Sequence, residues 1–384
     1  MSKKILFVIP TIWAGGTNSA LGGLYNNIDK SQYDVTVWAR DYFGGRKVDY
    51  DESLIRKQPL LSAYYSTGHY SNLQEKLFCL FVKTLKRIIK VFDANFDEKF
   101  DKNIIGRFEK SKHFDTVIAY NEGVVPFASH FKCENKIAWV HCDYDKHLPV
   151  GRSEEKYYNK YKKIVTVSDY TTRVIEKRYP KLKDRCMTIY NLLDMKSITN
   201  KSLEITDDSR FCTDKFTIVS VGRIVPVKNF SRIPQIAREM IDLGCDFRWY
   251  IIGPGMDGSE VGNIKNNIEK FGVNDYVVWL GGKSNPYPYF KAADLYVCTS
   301  KSEACPMVFN EAKINGTPII TSDFPAAKEF IHQGQDGYVI SIDCLAKQIA
   351  HVINNPDLHS YLENNVSKYI IDNNDTMSRI YSIL

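Results

Sequence analysis

Residues 300–323 read SKSEACPMVFNEAKINGTPIITSD, and they follow a short apolar run, 295–299, with the length and composition of a buried strand. Pro306 falls where a first helical position would, because its missing N–H is not needed there and its fixed φ suits a helix. The pattern predicts a helix over about residues 306–315, stopped at Gly316 and followed by Pro318 and a β-branched run at 319–321. Strand, helix and strand make one βαβ step. Such a step sets the helix N-terminus at the carboxyl edge of a parallel sheet, where free amides and the positive dipole end hold an anion such as a phosphate. Glu303 lies in the loop before that terminus and Glu311 in its second turn, with seven residues between. A carboxylate beside a phosphate is costly unless it accepts hydrogen bonds from another group, and sugar hydroxyls are natural donors. Spacing alone is equally compatible with an amphipathic helix carrying two solvated acids.

Taken together, Glu303, Pro306, Glu311, Ala312, Gly316, Pro318 and Asp323 resemble the Glu-x7-Glu signature of the retaining glycosyltransferases of family 4, which have the two-domain GT-B fold. The resemblance implies that Glu303 contacts the donor sugar and Glu311 the ribose of the nucleotide. Ala304-Cys305 departs from the family pattern, which more often has Gly followed by an aromatic. The departure falls on the donor-sugar pocket and leaves both carboxylates in place.

A chain of 384 residues exceeds what one core usually supports, so two domains of similar size are expected. The start, MSKKILFVIP, is basic, but its apolar run is too short for a signal peptide, and no stretch reaches the length of a membrane span. Nine cysteines with no Cys-x-x-Cys pair fit neither a disulfide framework nor a zinc site and point to a reducing cytosol. Net charge is uneven: residues 1–196 carry 33 Lys and Arg against 23 Asp and Glu, and residues 197–384 carry 18 against 22. The basic half is expected to face something acidic. Within it, KLFCLFVKTLKRIIKVF at 76–92 has five basic and no acidic residues among apolar positions at near-helical spacing. That pattern suits a helix on an anionic membrane surface, and equally a helix packed on a sheet with its lysines in water.

In chain order, residues 5–9 read as a central parallel strand, ending in a loop with Gly15-Gly16. The loop resembles the family's glycine-rich first loop, where backbone amides approach the donor phosphate; without the resemblance, a plain tight turn is the simpler reading. The full G-x-G-x-x-G of a dinucleotide site is absent, which argues against an oxidoreductase. Strands are expected at 34–39, 116–119 and 136–140. Tyr120, Asn121 and Glu122 stand at the tip of the second and His141 at the tip of the third, where open α/β sheets bind ligands. The resemblance gives His141 the donor sugar, and the tip residues 120–122 are candidates for the acceptor side. Asp143-Tyr144-Asp145 has the spacing of a metal-binding D-x-D, a pattern of the other glycosyltransferase fold, and is read as coincidence. A polar run at 195–215 marks the domain boundary. Beyond it VGRIVPVKN places Arg223 and Lys228 at one strand tip, where two cations can converge on a diphosphate, and it resembles the family's second signature. Lys283 follows a further strand and resembles a position near the nucleobase. Helices are expected at 343–353 and 368–384.

The expectation is α/β, a GT-B fold of two Rossmann-like domains facing across a cleft: residues 1–195 for the acceptor, 196–367 for the nucleotide sugar, and 368–384 a helix crossing back. The cysteines and the basic 76–92 pattern imply a cytoplasmic protein, peripheral at the inner face of the plasma membrane, and the resemblance implies transfer of a hexose from a nucleotide diphosphate sugar to a glycan or lipid-linked acceptor with retention. It needs no metal and no cofactor, and no nucleic acid is involved. Arg223, Lys228, Glu303 and His141 are the expected catalytic residues, and Gly15, Gly16, Lys283, Pro306, Met307, Val308 and Glu311 join them in holding the donor. A GT-B sugar-nucleotide epimerase or a protein that only binds a nucleotide sugar would use the same fold.

Overall fold

A computed structural model describes residues 2–12, 15–43, 50–147 and 153–384; Trp13 and Ala14 of the glycine loop lie outside them. The chain divides into two compact units, residues 1–193 with 372–384, and residues 194–371. Each is a parallel sheet with helices between its strands.

The first sheet runs β3-β2-β1-β4-β5-β6-β7, from β1 (Lys3–Thr11), β2 (Tyr33–Asp41), β3 (Ile55–Arg56), β4 (Thr116–Ala119), β5 (Asn135–Val140), β6 (Lys163–Thr166) and β7 (Cys186–Thr188). β1 is central because both its faces are covered: Ile5 to Ile9 are all within 1% of full burial. Trp38 on β2 packs against Phe108, Phe127 and Phe131 to fill one face. Helix α1 (Gly16–Asn27) follows β1, and α2 (Leu73–Phe92) is the long helix of this unit.

The second sheet runs β10-β9-β8-β11-β12-β13, from β8 (Phe216–Val221), β9 (Phe247–Ile252), β10 (Val277–Gly281), β11 (Leu295–Cys298), β12 (Ile319–Ser322) and β13 (Gly337–Ile340). Its core is separate, built around Trp249, Ile251, Leu295 and Val297. The predicted βαβ step is β11, helix α4 (Met307–Ile314) and β12, with Tyr296 in register with Ile319. Gly316 stops the helix with φ +79°.

The polar run at 195–215 lies in the second unit: it begins with helix α3 (Met195–Lys201), and its charges are tied to that unit. Asp207 and Asp208 pair with Lys283, and Arg210 donates to the carbonyls of Trp279 and Leu280. Polarity there signals ion pairing, not solvation. The last helix is shorter than 368–384: α5 (Asn373–Tyr381) belongs to the first unit, with the Tyr381 ring stacked 5.4 Å from Tyr33 and its hydroxyl accepting from the Asp29 amide. The helix expected at 343–353 begins as a 3-10 turn and becomes α-helical over Leu345–Ile353.

Candidate functional site

A parallel sheet binds ligands where its strand order reverses, outside the carboxyl ends of the two strands that flank the reversal. The order places that point between β1 and β4 in the first unit and between β8 and β11 in the second. The sequence candidates fall on these edges.

In the second unit β8 leads through Gly222 and Arg223 into a 3-10 turn, Pro226–Lys228. Asn229 then takes a left-handed conformation, φ 56°, the one non-glycine residue with positive φ among those described. Asn tolerates that region because its side chain is short and polar. The turn brings Lys228 to Glu303, on the loop after β11, with Nζ 2.5 Å from Oε1. Both side chains are largely buried, 18% and 15% exposed. Ser300 Oγ donates to the same carboxylate oxygen at 2.7 Å, and the Ser322 hydroxyl donates to the Ser300 carbonyl at 2.6 Å. The Thr299 hydroxyl donates to the Lys228 carbonyl at 2.9 Å, so the two strand tips are laced together. Lys228 has three donors and Glu303 takes one, leaving two for other acceptors. Thr299, Ser300 and Ser322 were not singled out from sequence, since hydroxyls after a strand carry no distinctive spacing.

Helix α4 starts beside this pair. Pro306 is its cap residue rather than its first helical residue; no side chain caps it, and its first turn has no acid. Met307 and Val308 therefore open a helix whose dipole and amides are uncompensated by side chains. Glu311 lies one turn on, half-buried. Arg223 is exposed and makes no ion pair with any described residue. Lys283 stands apart from the Lys228 pair in its contacts: Asp208 and Asp207 hold its Nζ at 2.9 and 3.2 Å.

In the first unit the structure brings two predicted strand tips together. Glu122, after β4, is buried and accepts the backbone N–H of His141, after β5, at 2.9 Å; Asn121 donates to its other oxygen at 3.0 Å. Arg40 of β2 donates to the Gly123 carbonyl at 2.9 Å and fixes the same loop, a contact the sequence did not announce. Tyr120 is 1% exposed and packs between Phe7, Trp139 and His141. His141 Nε2 is buried without a hydrogen-bond partner among the described residues, and burial lowers the imidazole pKa to about 3. It is a neutral ring. Gly15 caps α1 with no side-chain cap and extended φ, and a β-carbon there would meet no described atom within 4 Å. Asp143 is buried and accepts the Asp145 amide at 3.2 Å, as a cap for the short helix Tyr144–His147.

The neutral His141 carries a prediction. Unfolded, its imidazole takes a proton below 6.5; folded, only below about 3. The native state thus binds fewer protons in that window, so stability falls as pH drops through it. Urea melts of wild type and His141→Gln should diverge below pH 6.5, with the wild type falling more steeply. Parallel curves would mean that the imidazole ionises in the fold.

Residues 202–369 match the family model described as glycosyl transferases group 1. This stretch, somewhat under half of the chain, is similar to group 1 glycosyltransferases. Spore coat protein SA of Bacillus subtilis is 29% identical over 219 residues, 54% of this chain and 58% of that protein. A Campylobacter jejuni enzyme, N-acetylgalactosamine-N,N'-diacetylbacillosaminyl-diphospho-undecaprenol 4-alpha-N-acetylgalactosaminyltransferase, is 26% identical over 160 residues, 41% of either chain. The aligned stretches thus span less than two thirds of these relatives. Across the whole chain, the structure of Anabaena HepE in complex with UDP and glucose superposes with a TM-score of 0.68, 14% identity and full coverage of both chains. The fold is GT-B, with two Rossmann-like domains, and the stretch matched by the family model carries Arg223, Lys228, Glu303 and Glu311 on its switch-point edge. No described helix is long and apolar enough to cross a membrane.

Proposed function

We propose that this protein is a retaining, metal-independent hexosyltransferase of family 4 that moves a hexose from a UDP-sugar to a hydroxyl of a glycan or lipid-linked acceptor in surface polysaccharide synthesis, working at the inner face of the plasma membrane. The observation that carries the reading is the Lys228–Glu303 pair beside the uncapped start of α4. Breaking a sugar–phosphate bond leaves negative charge on the diphosphate. Lys228, Arg223 and the amides of Met307 and Val308 supply fixed positive potential where that charge grows. Two lysine protons beyond the one given to Glu303 suit two phosphate oxygens. Glu303 holds Lys228 and accepts from a hexose hydroxyl, and Glu311 accepts from the ribose. The HepE structure in complex with UDP and glucose and the Campylobacter enzyme named for a diphospho-undecaprenol glycan support donor and acceptor classes of this kind.

In the first domain we assign the switch point to the transferred hexose and the acceptor. Neither φ nor packing requires glycine at 15, so the missing side chain is read as room for a ligand. Neutral His141 offers Nε2 to a sugar hydroxyl without adding charge. Tyr120, Asn121 and Glu122 position it from behind. The leaving phosphate oxygen takes the acceptor proton, and this front-face step gives retention without a dedicated base. The test is release of free nucleotide from a panel of UDP-, GDP- and ADP-sugars. Release that needs both donor and acceptor, and continues in excess EDTA, is the expected result; an epimerase would release none, and dependence on Mg²⁺ or Mn²⁺ would refute the metal-free site.

Glu311→Gln should weaken nucleotide binding about equally for free UDP and for each UDP-sugar, because its partner is the ribose. A charged carboxylate accepting a hydroxyl is worth about 1.5 to 3 kcal/mol, or on the order of tenfold to a hundredfold in affinity. Competition binding with UDP alone checks it, and unchanged affinity would remove Glu311 from the site.

A further inference from the structure

Helix α2 buries little of itself in its domain for its length. Of its 20 residues only Cys79 and Val82 are buried, within a small cluster with Phe43, Ala63 and Tyr64. Nine of the 18 large apolar residues found exposed among the described residues lie on this one helix. Scattered exposed apolar side chains are ordinary, but a concentration of this kind marks a contact surface. Leu77, Phe81, Leu85, Ile88 and Phe92 are 59, 67, 46, 54 and 86% exposed, and their spacing puts them on one stripe, away from the Cys79 and Val82 side.

The five basic residues read from the sequence divide into two groups. Lys86 and Lys90 turn toward the domain, where both pair with Asp97 and Lys86 lies 3.8 Å over the Tyr64 ring. Lys76, Lys83 and Arg87 make no ion pair with any described residue, and at 100° per residue they line one flank of the apolar stripe. We propose that α2 lies flat on an anionic lipid bilayer, with the Leu77–Phe92 stripe in the acyl boundary and Lys76, Lys83 and Arg87 among the headgroups. The helix is about 30 Å long, enough for an in-plane anchor. Charge selects this occupant over a second copy of the chain: an isologous pairing of two such helices would bring two unpaired basic flanks together without a carboxylate to answer them. The inference rests on the membrane location proposed above and gives it a residue-level basis, without depending on sugar transfer. Binding is measured without donor, so its failure and a failure to transfer sugar are separate results.

The experiment is co-sedimentation of the full chain with vesicles of phosphatidylcholine, with and without phosphatidylglycerol, at low and high salt. Binding should require the anionic lipid and weaken as salt rises. Lys76→Glu/Lys83→Glu/Arg87→Glu should reduce partitioning by about a hundredfold or more. Leu77→Ser/Phe81→Ser/Ile88→Ser should abolish it while leaving the melting temperature unchanged, since these side chains are exposed. Equal binding to neutral vesicles, no binding to either, or a wild-type dimer in sedimentation velocity that the serine variant breaks would overturn the proposal.

Discussion

Replacing Lys228 by alanine is expected to lower turnover by on the order of one hundredfold or more, with a smaller loss of donor affinity. The ammonium sits at 2.5 Å from Glu303 and is largely screened from water, so it is a fixed charge that need not reorganise as the bond breaks. Removing one such donor costs about 2 to 4 kcal/mol of transition-state stabilisation. Its contribution grows with the charge on the leaving diphosphate, which places the loss in kcat more than in KM. Lys228→Ala also strips Glu303 of its cation, leaving the Ser300 hydroxyl as its side-chain partner among the described residues. Lys228→Arg keeps charge but not the point geometry, and should recover only part of the rate. Wild-type turnover in the alanine variant would reject the role.

The second large effect concerns the frame. Gly253→Ala should destabilise the second domain by about 3 kcal/mol and weaken nucleotide binding with it. A β-carbon at Gly253 would lie 1.7 Å from the Gly222 carbonyl oxygen, a backbone atom that cannot turn aside. The Gly222 amide donates to the Ile252 carbonyl, and the Gly253 amide to that of Gly281, so the tips of β8, β9 and β10 are stitched at this crossing. Pushing them apart displaces Gly222 and the Arg223–Lys228 turn that follows it. Calorimetry should show a melting temperature lower by about 6 to 12 °C. Gly15→Ala is the control, because its site is open, and its melting temperature should not move. An unshifted Gly253→Ala melt would mean that the strand tips yield freely.

Much of this was legible in the chain because parallel strands covered on both faces declare themselves as short apolar runs. LFVI at 6–9 and the run at 295–298 are fully buried central strands, and Pro306 and Gly316 bracket α4 as cap and stop. Charged candidate residues could be placed at strand tips by position alone, since a strand tip is where an exposed cation or acid has a ligand to meet. What escaped was pairing at long range. The polarity of 195–215 gave no hint of its contacts, because Asp207 and Asp208 find Lys283 some 75 residues away. The hydroxyls of Thr299 and Ser322, and the grip of Arg40 on Gly123, depend on which strands become neighbours. On α2 the sequence showed five basic residues, and only the fold reveals that Asp97 takes two of them.

The central claim is that Arg223, Lys228, Glu311 and the start of α4 form a nucleotide diphosphate site that needs no metal. Calorimetric titration of UDP into the full chain in excess EDTA tests it most directly. The account predicts one site per chain, with affinity unchanged when Mg²⁺ replaces EDTA and reduced by Arg223→Ala and Glu311→Gln. Absence of binding in EDTA with recovery on adding Mg²⁺ or Mn²⁺, or binding indifferent to both substitutions, would contradict it.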